Sequence, residues 1–164
     1  MSAPLAPPEG WLAALHRELH RILPAKLHAQ LDSWMTDGTI ELSPKGQGPG
    51  GMVVGFASYT AVFSIEELPF RQFPPQLLLA AVATWVQEHD ETRDEQGLDD
   101  PTYTVTPIDE QVADMEISIP FREPLSVIAD PEGPLNWLDQ TWNIAPYDVW
   151  TAEQADVRVS IEES

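Results

Sequence analysis

The chain has no cysteine among its 164 residues. That excludes disulfides, thiolate metal sites and cysteine nucleophiles, and it fits a reducing compartment. Positive charge is scarce as well: 8 lysines and arginines face 27 aspartates and glutamates, a formal net charge of −19. Such a surface repels a phosphate backbone and argues against conventional nucleic-acid binding. It leaves three uses for the charge: facing DNA without gripping it, pairing with a basic partner, or keeping the protein soluble. Long hydrophobic runs are missing too. The longest, Leu77 to Ala83, is far too short to span a bilayer. No N-terminal stretch has the basic, apolar and cleavage-site order of a signal peptide. The expectation is a soluble protein of the cytoplasm, with no membrane partner.

What is present fits one globular domain. At 43% hydrophobic residues the chain can bury a real core. After the proline-rich start, MSAPLAPPEG, residues Trp11, Leu12, Leu15, Leu19, Ile22 and Leu23 recur at helical spacing. Pro24 closes that helix or opens a second one. Leu27, Leu31, Trp34 and Met35 carry the apolar face on to Asp37-Gly38, so the spacing predicts two N-terminal helices. Thr39 to Leu42 reads as a short strand, and SPKGQGPGGM, Ser43 to Met52, as a flexible loop to the next one. In Val53–Ile65, Ala57, Tyr59, Ala61, Phe63 and Ile65 share one face; Val62 and Phe56 interrupt the polar face, so part of it is also covered.

Phe70 to Asp90 holds the clearest helix, opened by Pro74 and Pro75 and apolar nearly all the way round, which predicts burial on most of its surface. Its end, QEHDETRDEQGLDD, reads as a solvated acidic loop. Tyr103 and Val105 alternate with threonines in a strand. VADMEISIPF then points Ala113, Met115, Ile117, Ile119 and Phe121 to one side and Asp114, Glu116 and Ser118 to the other; Leu125 to Ile128 forms a further short strand. One apolar and one wet face predict an antiparallel sheet with helices on one side. The segment Asp130–Trp150 has little periodicity but carries Trp137, Trp142, Tyr147 and Trp150. These aromatics either cap the core or anchor a partner. Val157, Val159 and Ile161 alternate in a last strand.

Catalytic signatures are absent. No serine sits in a nucleophile elbow, there is no dinucleotide fingerprint, and the only lysine of the glycine-rich segment, Lys45, precedes the glycines rather than following them as in a phosphate cradle. His16 and His20 share a helical face and could reach one metal ion. The zinc-protease order H-E-x-x-H is broken, however, because Arg17 follows the first histidine. His89-Asp90 lacks the further ligands of a metal phosphohydrolase, and the acidic run lacks a calcium-loop pattern. No catalytic residue, metal or cofactor is expected, and a structural or binding role is the default.

The order of elements resembles a family. From Asp37-Gly38-Thr39-Ile40, through the strand ending VFSI and the proline-led helix LLLAAVATWVQEH, to the strand ADMEISIPFREPLSV, the chain is similar to tail completion protein R of P2-like tailed phages. The resemblance spans about residues 37 to 130. It implies a virion protein at the head-proximal end of a contractile tail, made in the host cytoplasm, that caps tube or sheath and helps the tail join the head. Related tail terminators form hexameric rings with an antiparallel sheet and flanking helices. Partners would then be further copies of the chain, tube and sheath proteins and neck or head-completion proteins, with genomic DNA passing through the lumen.

The reading is an α+β fold of the tail-terminator kind, an antiparallel sheet packed against helices with an irregular aromatic-rich C-terminal segment. Residues 1–8 form a loose start, 9–130 the tail completion domain, and 131–164 the aromatic-rich segment ending in a strand. Trp137, Trp142, Tyr147 and Trp150 are the candidate assembly contacts. Two rivals stand against it: an acidic DNA-mimicking inhibitor of a nucleic-acid enzyme, and a metal hydrolase using His16, His20 or His89.

Overall fold

The computed structural model describes residues 10–48 and 51–145. The first helix, α1 (Trp11–Ile22), buries Ala14, Leu15 and Leu19 on one stripe. The Leu23 amide still donates to the Leu19 carbonyl at 3.0 Å. Pro24, which has no amide hydrogen to offer, ends the helix there. A short 3-10 turn, Ala25–Gln30, follows and buries Leu27.

The second helix expected up to Asp37 does not form. The chain extends at Leu31 and runs as strand β1 (Leu31–Gly48). Leu31 is buried, but Trp34 is 40% and Met35 59% exposed. Their spacing imitates a helical stripe, whereas Trp34, Thr36, Thr39 and Ile40 favour a pleated surface once a partner strand is available. That partner is β2 (Gly51–Leu68). Only two positions, 49 and 50, separate the strands, and so short a connection joins antiparallel neighbours. Most of the glycine-rich stretch expected as a loop is therefore strand. Gly55 is needed there, since a Cβ at that position would lie 2.6 Å from the Glu41 carbonyl oxygen.

Helix α2 (Pro75–His89) starts with proline in its first turn, where the missing amide costs nothing. Leu78, Val82, Trp85 and Val86 are buried, a single stripe at helical spacing. The burial of most of its surface expected for this helix is not observed. Leu77 is 46% exposed, and Ala80 and Ala83 are exposed too. Small apolar residues tolerate solvent at little cost, so composition overstates the buried arc.

Strand β3 (Thr102–Pro107) pairs antiparallel with β4 (Ala113–Ala129), Tyr103 opposite Ile117 and Val105 opposite Met115. Asp109 shapes the connection: its Oδ1 accepts from the Gln111 and Val112 amides at 2.7 and 2.9 Å. These bonds hold its carboxyl below the ordinary value. The alternation read in β4 is observed, with Ala113, Met115, Ile117, Ile119 and Phe121 all buried. Leu125–Ile128 is not a separate strand but the continuation of β4 past Pro120 and Pro124.

Within the C-terminal segment expected to be irregular, β5 (Leu135–Trp137) and β6 (Gln140–Ile144) form a tight antiparallel hairpin. The expected strand at Val157–Ile161 lies outside the described residues. The antiparallel sheet runs in the order β1-β2-β4-β6-β5, with β3 added on β4. With helices beside it, the fold is α+β.

The chain gathers into two compact units. One comprises Trp11–Thr39 and Ser58–Arg122; the other, among the described residues, comprises Gly10, 40–57 and 123–145. In the first unit Phe121 is the hub. Trp11 of α1, Tyr59 of β2 and Trp85 of α2 meet its ring edge-on, with centroids at 5.4, 5.9 and 6.1 Å. Burying such a ring contributes about 2–3 kcal/mol, and edge-to-face pairs add to it.

Candidate assembly surfaces

Three places combine side chains that the fold alone does not explain. The first is the hairpin. Trp142 on β6 is 7% exposed, and its Nε1–H donates to the Trp137 carbonyl at 2.7 Å. The two indoles pack with centroids 5.4 Å apart. Trp137 is half-buried, and Leu135, Leu138 and Ile144 around it are exposed. The fold thus brings two of the four candidate contact residues together. Tyr147 and Trp150 lie outside the described residues.

The second place is the histidine face of α1. His16 Nδ1 hydrogen-bonds Ser33 Oγ at 2.7 Å, and its ring lies 6.5 Å from that of His20. His20 stacks on His28 at 3.6 Å between centroids, while His28 Nε2 bonds the Leu23 carbonyl at 2.8 Å. Burial, then the neighbouring His20, push the His16 imidazole down, and Asp32 partly opposes them. One ring nitrogen of His16 and one of His28 are therefore committed within the fold. Among the described residues no group of three or more His, Cys, Asp or Glu side chains is arranged to hold a metal ion.

The third place is a groove of about 640 Å³ in the first unit, between α2 and β3. Leu79, Val82, Ala83 and Val86 form the helix wall, Thr102 and Tyr103 the strand wall, with Ile117 between them. Asp90, Glu91, Asp94 and Asp100 stand at the acidic end. The acidic stretch expected to be a solvated loop has a buried pair at its heart: Asp90 is 2% and Arg93 8% exposed. Arg93 Nη1 donates to Asp90 Oδ2 at 2.6 Å, and Nη2 donates to the Asp99 carbonyl at 2.6 Å. Asp90 Oδ1 is buried and has no hydrogen-bond partner. Burial raises the Asp90 carboxyl above its ordinary value, and the Arg93 guanidinium only partly opposes the rise. Sequence reading missed this pair. Its signal is a single arginine three residues after an aspartate in an otherwise acidic run.

Residues 11–146 match the model of the P2 phage tail completion protein R (GpR) family. The chain belongs to that family. Over 140 residues it is 34% identical to a protein of Haemophilus phage HP1 (strain HP1c1) described as an uncharacterized 19.2 kDa protein in the rep-hol intergenic region; the alignment covers 85% of this chain and 84% of the relative. No solved structure matches. The GpR match extends beyond residues 37–130, which carry the ordered pattern described above, to α1 and to the C-terminal hairpin. Membership carries a bacteriophage tail completion role, a structural task performed with other tail components in the virion. Among the described residues no helix is long and apolar enough to cross a membrane.

Proposed function

We propose that this GpR-family chain caps the head-proximal end of a contractile tail, closing tube or sheath so that the finished tail can join the head. The observation that carries the reading is the tail completion family match over residues 11–146. Copies of the chain form a hexameric ring that touches tube or sheath proteins on one side and neck or head-completion proteins on the other. Surfaces rather than a catalytic site do this work, and no cofactor takes part. Trp137, Tyr147 and Trp150 are its contact residues. Trp142, buried against Trp137, contributes by positioning that indole. The formal charge of −19 suits a ring whose lumen passes genomic DNA without binding it.

Electron microscopy of particles made with the gene deleted tests the role. Full heads beside separate tails with unfinished upper ends, rescued by supplying the protein, are expected. Normally joined particles would end the proposal.

A further inference from the structure

The groove between α2 and β3 has features that the fold does not use. Strand β3 is an edge, paired with β4 alone among the described residues. Its sequence, TYTVTP, has no charge, and its one proline stands at the end. Lysines, bulges and covering loops usually guard such edges against pairing. Tyr103 and Val105 are 55% and 42% exposed, yet they sit opposite Ile117 and Met115, each 1% exposed. Cross-strand partners share a face of the sheet. The core-facing side of the sheet therefore runs out from beneath α2, and Tyr103 and Val105 lie on it uncovered.

A strand added to β3 would lie alongside the exposed Ala83 of α2 and direct alternate side chains into the groove. The groove's end is acidic, with Glu91, Asp94 and Asp100 exposed. The lone cation among the described residues that line it, Arg93, is already committed to Asp90 and Asp99. Asp90, buried at that end, keeps one carboxylate oxygen without a donor, and a buried acceptor in that state is costly until a donor arrives. A second copy of the chain, with 8 basic against 27 acidic residues, is a poor source of that donor. Charge complementarity selects a different, basic protein.

We propose that the groove docks an extended segment of another tail protein, which adds as a strand to β3 and places a lysine or arginine against Asp90. Main-chain bonds to the free edge give affinity, and the basic side chain gives specificity. That the partner is a tail protein rests on the role proposed above; the chemistry of the groove does not.

The test uses the full chain and a fluorescein-labelled nine-residue peptide of alternating threonine and valine with a central arginine, followed by fluorescence anisotropy. The arginine peptide is expected to bind at least tenfold more tightly than a twin with central glutamate, and a backbone N-methylated twin should not bind. Asp94→Asn combined with Glu91→Gln should weaken binding several-fold. Ala83→Arg, at an exposed position, should abolish it with circular dichroism and melting unchanged. Equal affinity for the arginine and glutamate peptides, no binding of either, or indifference to Ala83→Arg would overturn the proposal. So would an Ala83→Arg chain that loses self-association in sedimentation but still binds peptide, since the groove would then belong to a second copy. In phage particles the two readings separate. Joined particles with the Ala83→Arg chain refute the docking site alone, whereas joined particles without the gene refute the capping role.

Discussion

Arg93 shows how one side chain can decide local stability in a segment that composition labels as solvated. It neutralises a carboxylate that is almost wholly out of water. Removing one partner of such a pair leaves an uncompensated buried charge, which costs more than the pair itself is worth. Arg93→Met should therefore destabilise the protein by about 3 kcal/mol at pH 7. The sign of its pH dependence follows from Asp90. Burial raises that carboxyl in the folded state despite Arg93, so the unfolded chain releases the proton first as pH rises. Asp90's contribution is full below the ordinary aspartate value of about 4 and is lost as pH climbs through the raised folded value. Without Arg93 the folded value rises further, and the variant should recover part of its deficit near pH 4.5 (roughly the ordinary carboxylate range). Urea unfolding at the two pH values measures this; an equal loss at both would mean that Arg93 does not act through Asp90. The pair was hard to read because acidic runs are usually wet, and nothing in QEHDETRDEQGLDD marks which carboxylate the chain folds over. The histidines of α1 err in the other direction. Their spacing suggests ligation, while Ser33, distant in sequence, takes one His16 nitrogen and the His20 ring stacks on His28.

Elements were legible where periodicity and tertiary environment agree. Strand β4 alternates cleanly because one face lies in the core, and α1 carries a single apolar stripe. Strand β1 was not legible as far back as Leu31, since Leu27, Leu31, Trp34 and Met35 fit a helix by spacing and only pairing with β2 decides otherwise. The β5–β6 hairpin was hidden for a local reason. Its turn places Leu138 and Asp139 at φ of 53° and 58°, the pair of left-handed positions that a type I′ turn demands. Asn-Gly would have announced such a turn; Leu-Asp does not. A leucine held there costs about 1 kcal/mol. Replacing Leu138→Asn and Asp139→Gly together should stabilise the hairpin by about 1 kcal/mol, slowing amide exchange across β5 and β6 about fivefold. Unchanged or faster exchange would show that the leucine makes contacts worth more than the strain. Gly133 sets the opposite limit, since a Cβ there would collide with the Trp142 carbonyl oxygen. The candidate contacts stand out in the sequence as aromatics, but their burial does not: the register puts Trp137 and Trp142 on one face of the hairpin, and only packing buries Trp142 while leaving Trp137 half open.

On the scale of the whole molecule, charge separates the two kinds of contact this protein is proposed to make. Each copy brings a formal −19, so a ring of identical subunits must assemble against its own repulsion. At low ionic strength that repulsion reaches far, since the Debye length is about 30 Å at 0.01 M and about 8 Å at 0.15 M. Self-association should therefore strengthen as salt is added. A contact with a basic partner behaves in reverse, because salt screens the attraction that steers and holds it. Sedimentation velocity of the purified chain, and anisotropy with the arginine peptide, read the two responses over the same range, from about 0.01 M to about 0.5 M salt. Opposite slopes are expected: larger species at high salt, tighter peptide at low salt. If self-association weakened with salt instead, its interfaces would have to join acidic to basic patches on neighbouring copies. The 8 lysines and arginines would then be concentrated at the ring contacts, and the lumen would have no special claim on the negative charge.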